Sequence, residues 1–123
     1  MNQNFTSEEL VKEIVKILDS KKAADITAIE IKDLSTIGDY FVVASGNSHT
    51  QVRALAEEVD EKLSAMGVEP KKVEGYQTCL WVLMDYYDVI VHIFNKETRE
   101  FYSIERLWSD APKMDLSGLL TKD

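Results

Sequence analysis

Between Trp81 and His92 the chain reads Trp-Val-Leu-Met-Asp-Tyr-Tyr-Asp-Val-Ile-Val-His, two strand-like apolar runs around a corner made only of carboxylates and phenols. Runs this close predict a β-hairpin, over about Leu80 to Met84 and Val89 to Phe94. An ordinary tip would turn on Asn-Gly or Asp-Gly. Here two bulky Tyr residues occupy it, and bulk in a turn points to contact rather than economy.

The remaining elements arrange themselves around that hairpin. Phe5-Thr6-Ser7-Glu8-Glu9-Leu10 has the form of a capping box with a hydrophobic staple, and Leu10, Val11, Ile14, Val15 and Leu18 continue it as one helical stripe to about Lys22. Asp25 to Lys32 predicts a strand with one wet face. Asp39 to Gly46 is almost continuously apolar, as a strand covered on both faces is, and is expected in the middle of the sheet. Ser48 with Gln51 repeats the capping pattern, and Val52, Leu55, Ala56, Val59, Leu63 and Met66 predict a crossover helix that Gly67 ends.

A short strand over Lys71 to Glu74 follows Pro70. Beyond Asn95, the spacing of Phe101, Ile104, Leu107 and Trp108 predicts a helix with these residues inward, Glu97, Arg99, Glu100 and Arg106 outward, and a stop at Pro112. The order α-β-β-α-β-β-β-α indicates a single α/β (α+β-like) domain, a mixed sheet of about five strands flanked by helices. A length of 123 residues suits one core.

Charge narrows the partners. Fourteen Lys plus Arg stand against 22 Asp plus Glu, a formal net charge of −8 with no basic tract, which disfavours direct grip on nucleic acid and favours a basic protein partner. The lone Cys79 cannot close an intramolecular disulfide and reads as a small buried thiol in a reducing compartment. Met1 to Glu9 lacks the features of a signal peptide, and no apolar run reaches the length of a membrane span; a soluble, cytoplasmic protein is expected.

Three constellations invite a chemical reading. Asp85, Asp88 and His92 supply two carboxylates and an imidazole, but along one strand Asp88 and His92 stand about 13 Å apart at roughly 3.3 Å per residue, so joint metal ligation needs a bend. Gly46-Asn47-Ser48 opens a helix after a strand, the context of an anion site, yet it lacks the Lys and further glycines of a phosphate loop, and helix capping by Ser48 accounts for it. Ser45, Ser48 and His49 do not match the nucleophile-elbow spacing, and nothing in the sequence brings Cys79 to either His. The aromatic group Trp81, Tyr86, Tyr87, Tyr76 and Trp108 is more informative, because Tyr and Trp combine apolar area with a polar atom and concentrate at interface hot spots. Trp108 is assigned to the core; for Trp81 and Tyr86 both core packing and contact stay open.

The chain resembles the ribosomal silencing factor family, also called RsfS or Iojap-like, nearly end to end. The resemblance is carried by Asp39-Tyr-Phe-Val-Val-Ala-Ser-Gly-Asn-Ser48, Gln51-Val52, Glu74-Gly75, Trp81-Val-Leu-Met-Asp85-Tyr86, Asp88-Val-Ile-Val-His92, Arg99-Glu-Phe-Tyr102 and Leu107-Trp-Ser-Asp-Ala111. It implies a fold like that of nucleotidyltransferases, over residues 1–112; the residues beyond, Lys113 to Asp123, read as a mobile C-terminal tail or a small docking segment. It implies a translation repressor that binds the large ribosomal subunit through ribosomal protein L fourteen and blocks joining of the small subunit when nutrients are scarce. The partner-binding residues it implies are Trp81, Val82, Asp85 and Tyr86, with Tyr87, Asp88, Glu74 and Tyr76 beside them. No cofactor, metal or catalytic residue is expected.

The family's fold raises a nucleotide-binding or nucleotidyl-transferring enzyme as the alternative. That chemistry needs a carboxylate pair behind the Gly-Ser loop, and no carboxylate follows Gly46 until Glu57. A self-associating scaffold, a homodimer when free, is the third reading. One departure stands out: the family shows Asp-Tyr-Gly-Asp at the tip, and Tyr87 takes the place of glycine. Either the turn avoids a positive φ or it stores strain.

Overall fold

The computed structural model describes residues 5–120. Helix α1 (Ser7–Ser20) starts as its sequence predicts: Thr6 Oγ1 accepts from the Glu9 amide at 3.1 Å, and the Glu9 carboxylate accepts from the Thr6 amide at 2.9 Å. Its whole apolar stripe is buried. There follow β1 (Ala24–Glu30), β2 (Tyr40–Gly46), α2 (His49–Ala65), β3 (Lys72–Glu74), β4 (Trp81–Tyr86), β5 (Val89–Asn95), α3 (Lys96–Tyr102) and α4 (Ile104–Leu107).

The five strands form one mixed sheet in the order β1-β2-β5-β4-β3. β2 and β5 run parallel, which the crossover through α2 makes possible, and the other three pairings are antiparallel. β2 is buried along its whole length as expected, but it is not the middle strand. β5 is, because the hairpin ties it to β4 on one side while the crossover sets it against β2 on the other.

The two faces of the sheet differ. α1 and α2 pack on one, over a core that includes Leu10, Ile14, Leu18, Val42, Leu55 and Ile93. On the other lies a smaller cluster of Ile29, Ile31, Phe41, Val43, Ile90, Phe94, Ile104 and Ala111, with Trp81, Leu83 and Trp108 only partly buried at its border.

The predicted last helix is corrected in two respects. It is two short helices, because Ser103 adopts a left-handed φ of 46° between them, and α4 ends at Leu107, well before Pro112. Phe101 and Leu107 are exposed, whereas Arg99, expected in solvent, is buried. Its guanidinium donates to Ser45 Oγ at 2.8 Å and to Glu105 Oε2 from both Nε (3.1 Å) and Nη2 (2.6 Å), a charge-assisted pair that turns the polar edge of α3 inward.

Beyond Ala111 the chain closes the outer edge of β1. The Glu30 amide donates to the Pro112 carbonyl, the Met114 amide to the Ala28 carbonyl, and Lys113 bridges Ile29. Leu116 is buried in the helix-side core, with Met114, Leu119 and Leu120 packed against it. Residues 1–4, and residues 121–123 at the end of the expected tail, lie outside the described residues.

Candidate functional site

Strand alternation sorts the residues expected at a contact face. Along β4, Trp81, Leu83 and Asp85 are partly exposed, while Val82, Met84 and Tyr86 are buried toward α1 and α2. Glu74 pairs with Leu83 across the ladder and joins the open side, exposed and within 3.3 Å of the Lys72 ammonium. Tyr76 belongs to the helix side: its hydroxyl donates to the Glu57 carboxylate on α2, and Arg53 sits over its ring at 4.9 Å. The eight residues therefore divide into an open set of Trp81, Asp85 and Glu74, a supporting set of Val82, Tyr86 and Tyr76, and Tyr87 with Asp88 at the tip. Burial pushes the Tyr86 phenol up, with the charges of Asp60 and Glu69 adding to the effect, so its hydroxyl stays protonated beneath the sheet.

Trp81 is held on three sides. Its ring stacks on Phe94 at 4.8 Å and meets Tyr102 at 4.9 Å, and Nε1 donates to His92 Nδ1 at 3.0 Å. With Nδ1 accepting, the His92 proton resides on Nε2, which is buried and unpartnered. Burial pushes the imidazole down to about 4, the charge of Glu105 opposing it. His92 also packs edge-on against Phe41 at 4.6 Å. Sequence reasoning missed the Trp81–His92 bond; the diagonal of an antiparallel pair, where side chains two residues out of register meet, was the available signal.

Two backbone features set the position of β4. Gly75 has φ +81°, and a Cβ there would fall 2.0 Å from the Trp81 carbonyl oxygen, so only glycine lets the loop pass. Cys79 is buried as expected, in that loop at φ 56°, with its amide donating to the Gly75 carbonyl. At the other end of β4, Tyr87 takes φ 72°: the strained alternative holds. Asp85 Oδ1 accepts from the Tyr87 amide at 2.8 Å, and the Asp88 carbonyl accepts from the Asp39 and Tyr40 amides, which together hold the tip.

Groups that suggested chemistry are used differently. Among the described residues no three His, Cys, Asp or Glu side chains gather as a metal site, and His92 is bound to Trp81 rather than to Asp85 or Asp88. At the start of α2, the Asn47 amide donates to Gln51 Oε1 at 2.6 Å and the Gln51 amide to Ser48 Oγ at 3.1 Å, so side chains of the chain itself occupy these donors. Gly46 lets the start of α2 pack close to β2: a Cβ there would lie 3.0 Å from Val52 Cγ2 and 3.1 Å from the Val52 amide nitrogen, tighter than ordinary contact. No helix among the described residues is long and apolar enough to cross a membrane.

Comparison with known proteins bears on what this face does. Residues 4–123 match the family described as ribosomal silencing factor during starvation. The chain is 40% identical over 117 residues to a ribosomal silencing factor of Halalkalibacterium halodurans, covering 95% of this chain and all of that protein. It is 43% identical over 109 residues to one of Bacillus subtilis, covering 85% and 92%. A crystal structure of a Chromobacterium violaceum protein matches the fold with a TM-score of 0.83 at 35% identity, over 85% of this chain and 88% of that one.

Proposed function

The chain belongs to the ribosomal silencing factor family, and from that premise we propose that it docks on the large ribosomal subunit through ribosomal protein L fourteen and keeps the small subunit from joining. The mechanism is binding and steric exclusion, with no reaction catalysed. The docking face is the open side of the sheet around Trp81, Leu83 and Asp85, with Glu74, Tyr87 and Asp88 at its rim and Val82, Tyr86 and Tyr76 supporting it from behind. It operates in the cytoplasm, on assembled subunits.

The observation that carries this reading is the fixed, partly exposed indole of Trp81. Phe94, Tyr102 and His92 hold the ring before any partner arrives, so little rotamer entropy is lost on docking. Such pre-set aromatics are the usual anchors of protein interfaces. The net charge of −8 suits a basic ribosomal protein and opposes ribosomal RNA.

Co-sedimentation of purified large subunits with the wild type and with Trp81→Ala tests the face. Loss of a central anchor costs about 2 kcal/mol, a roughly 30-fold weaker Kd. Wild-type protein added to separated subunits is expected to reduce the joined fraction on a density gradient, and Trp81→Ala to restore it. Equal binding by the two proteins would refute the face, and undiminished joining at saturating wild type would refute exclusion.

A further inference from the structure

The sheet has two outer edges, and the chain treats them differently. Residues 112–114 run along β1, whereas β3, at the opposite end, has β4 on one side and no described strand on the other. At three residues, with Lys72 and Glu74 exposed, β3 is too short and too charged to invite two copies to stack edge to edge. A strand added there needs a side-chain pocket beside the edge to give it hold and specificity.

Such a pocket lies on the helix side. Val73 sits opposite Met84 in the ladder, on that side, and is 40% exposed. With Met84, Ala56 and Tyr76 it forms the apolar wall of a pocket of about 430 Å³, and the carboxylates of Glu57 and Asp60 on α2 form its polar side. No described base lines it. The nearby cations are engaged: Arg53 sits over the Tyr76 ring, Lys62 pairs with Glu58, Lys71 lies over the Tyr87 ring, and Lys72 pairs with Glu74 on the open face. Two residues on from Met84, on the same face of β4, Tyr86 ends in a buried hydroxyl that no described group satisfies. The charges of Asp60 and Glu69 act on that hydroxyl, so it lies toward the acidic side of the pocket.

An apolar wall ending in carboxylates complements a long cationic side chain, whose methylenes pack on the wall while the head meets the charges. We infer that β3 and this pocket bind an extended, basic segment of another protein, which adds a strand to the free edge of β3 and seats a Lys or Arg side chain between Val73, Met84 and the carboxylates of Glu57 and Asp60. The site faces away from Trp81 and does not rest on the docking reading above.

The test titrates the isotope-labelled full chain with the synthetic peptide acetyl-Thr-Val-Lys-Val-Arg-Thr-amide and follows the backbone amides by nuclear magnetic resonance. Saturable shifts are expected at Lys72, Val73 and Glu74 and at Glu57 and Asp60. Glu57→Gln combined with Asp60→Asn, checked for folding by circular dichroism, is expected to bind roughly threefold to tenfold more weakly. An equal change of charge elsewhere, Glu97→Gln with Glu100→Gln, is expected to bind as the wild type does at physiological salt. The same peptide with Gln for its Lys and Arg, or with its backbone nitrogens methylated, is expected to lose most of the affinity, and these two arms hold whether or not the variants fold. Equal weakening by both pairs of substitutions, or shifts that never saturate, would reduce the binding to general attraction by an acidic chain and overturn the inference. Undiminished binding of the methylated peptide would overturn strand addition. Shifts at Lys72 to Glu74 that depend on protein concentration without peptide, with a doubled mass in solution, would assign the edge to a second copy and overturn it as well.

Discussion

Protonation of His92 is expected to be the main acid weakness of this fold at mildly acidic pH. The imidazole is buried between Phe41, Phe94 and Trp81, and its proton affinity falls from an ordinary 6.5 to about 4. Each factor of ten in proton affinity is worth about 1.4 kcal/mol, so the neutral, buried state of His92 contributes on the order of 3 kcal/mol when fully realised. Between pH 6.5 and about 4 the unfolded chain binds a proton that the native state refuses, so stability rises with pH across that window. The contribution is complete above 6.5 and is lost as pH falls to about 4. Against a typical total of about 5–15 kcal/mol, such a loss is easily measured.

Urea unfolding of the wild type and of His92→Gln at pH 7.5, 6, 5 and 4 isolates it, because Gln can still accept from Trp81 Nε1 but does not titrate. The difference between the two stabilities is expected to shift by roughly 3 kcal/mol against the wild type across the window. Glu105 acts mainly outside this window. Burial raises its carboxyl, but the hydrogen bonds and charge of Arg99 outweigh burial and leave it below the usual range, so its contribution is present at higher pH and lost only at the acid end, in both proteins alike. In a Trp108→Phe background the remaining indole, Trp81, is expected to change its emission in the same window, since a doubly protonated imidazole no longer accepts from Nε1. Parallel stability curves for the wild type and His92→Gln would refute the reasoning.

Three further substitutions follow from the backbone and from Arg99. Gly75→Ala drives a Cβ into the Trp81 carbonyl and is expected to destabilise the fold by roughly 2–4 kcal/mol in urea unfolding, with altered Trp81 emission. Tyr87→Gly relieves a left-handed Tyr and is expected to raise stability by about 1 kcal/mol, with its midpoint above that of the wild type. Arg99→Met leaves the partly buried Glu105 without its cation and Ser45 Oγ without its donor, and is expected to cost roughly 1–3 kcal/mol; hydrogen exchange should quicken first in α3 and α4, and uniform quickening would count against a local role.

Elements whose local signals agreed with their packing were legible in the sequence: the Thr6 and Ser48 caps, the stripe of α1, the stripe of α2 apart from Met66, which is exposed just past the helix end, and the hairpin at Tyr87-Asp88. α3 and α4 were not, because helical periodicity reports which residues share a face but not which way that face turns. Buried Arg99, paired with partly buried Glu105 six residues on and with Ser45 54 residues away, splits that face, so Phe101 and Leu107 turn out while Ile104 stays inside. The candidate site was half legible for a similar reason. The motif around Trp81 was visible as a string, but strand alternation sends Val82 and Tyr86 to the helix side and leaves Trp81 and Asp85 on the open one, and Leu83 between them drew no notice. The support of Trp81 by His92 and Tyr102 depends on strand pairing and on the turn at Ser103.

The strand order also sets a timetable for synthesis. The central strand, β5, is the last of the five to be made, and the segment that closes the β1 edge comes later still, at residues 112–114. While the first 80 or so residues are emerging, β2 has only β1 to pair with, and one whole side of it stays bare. The nascent chain can form α1, α2 and the β1–β2 pair, but the sheet cannot be completed until β5 is available to join β2 to β4. Any cargo fused behind Ala111 without Pro112 to Met114 would leave β1 with an open edge, the kind of surface on which unfinished chains aggregate.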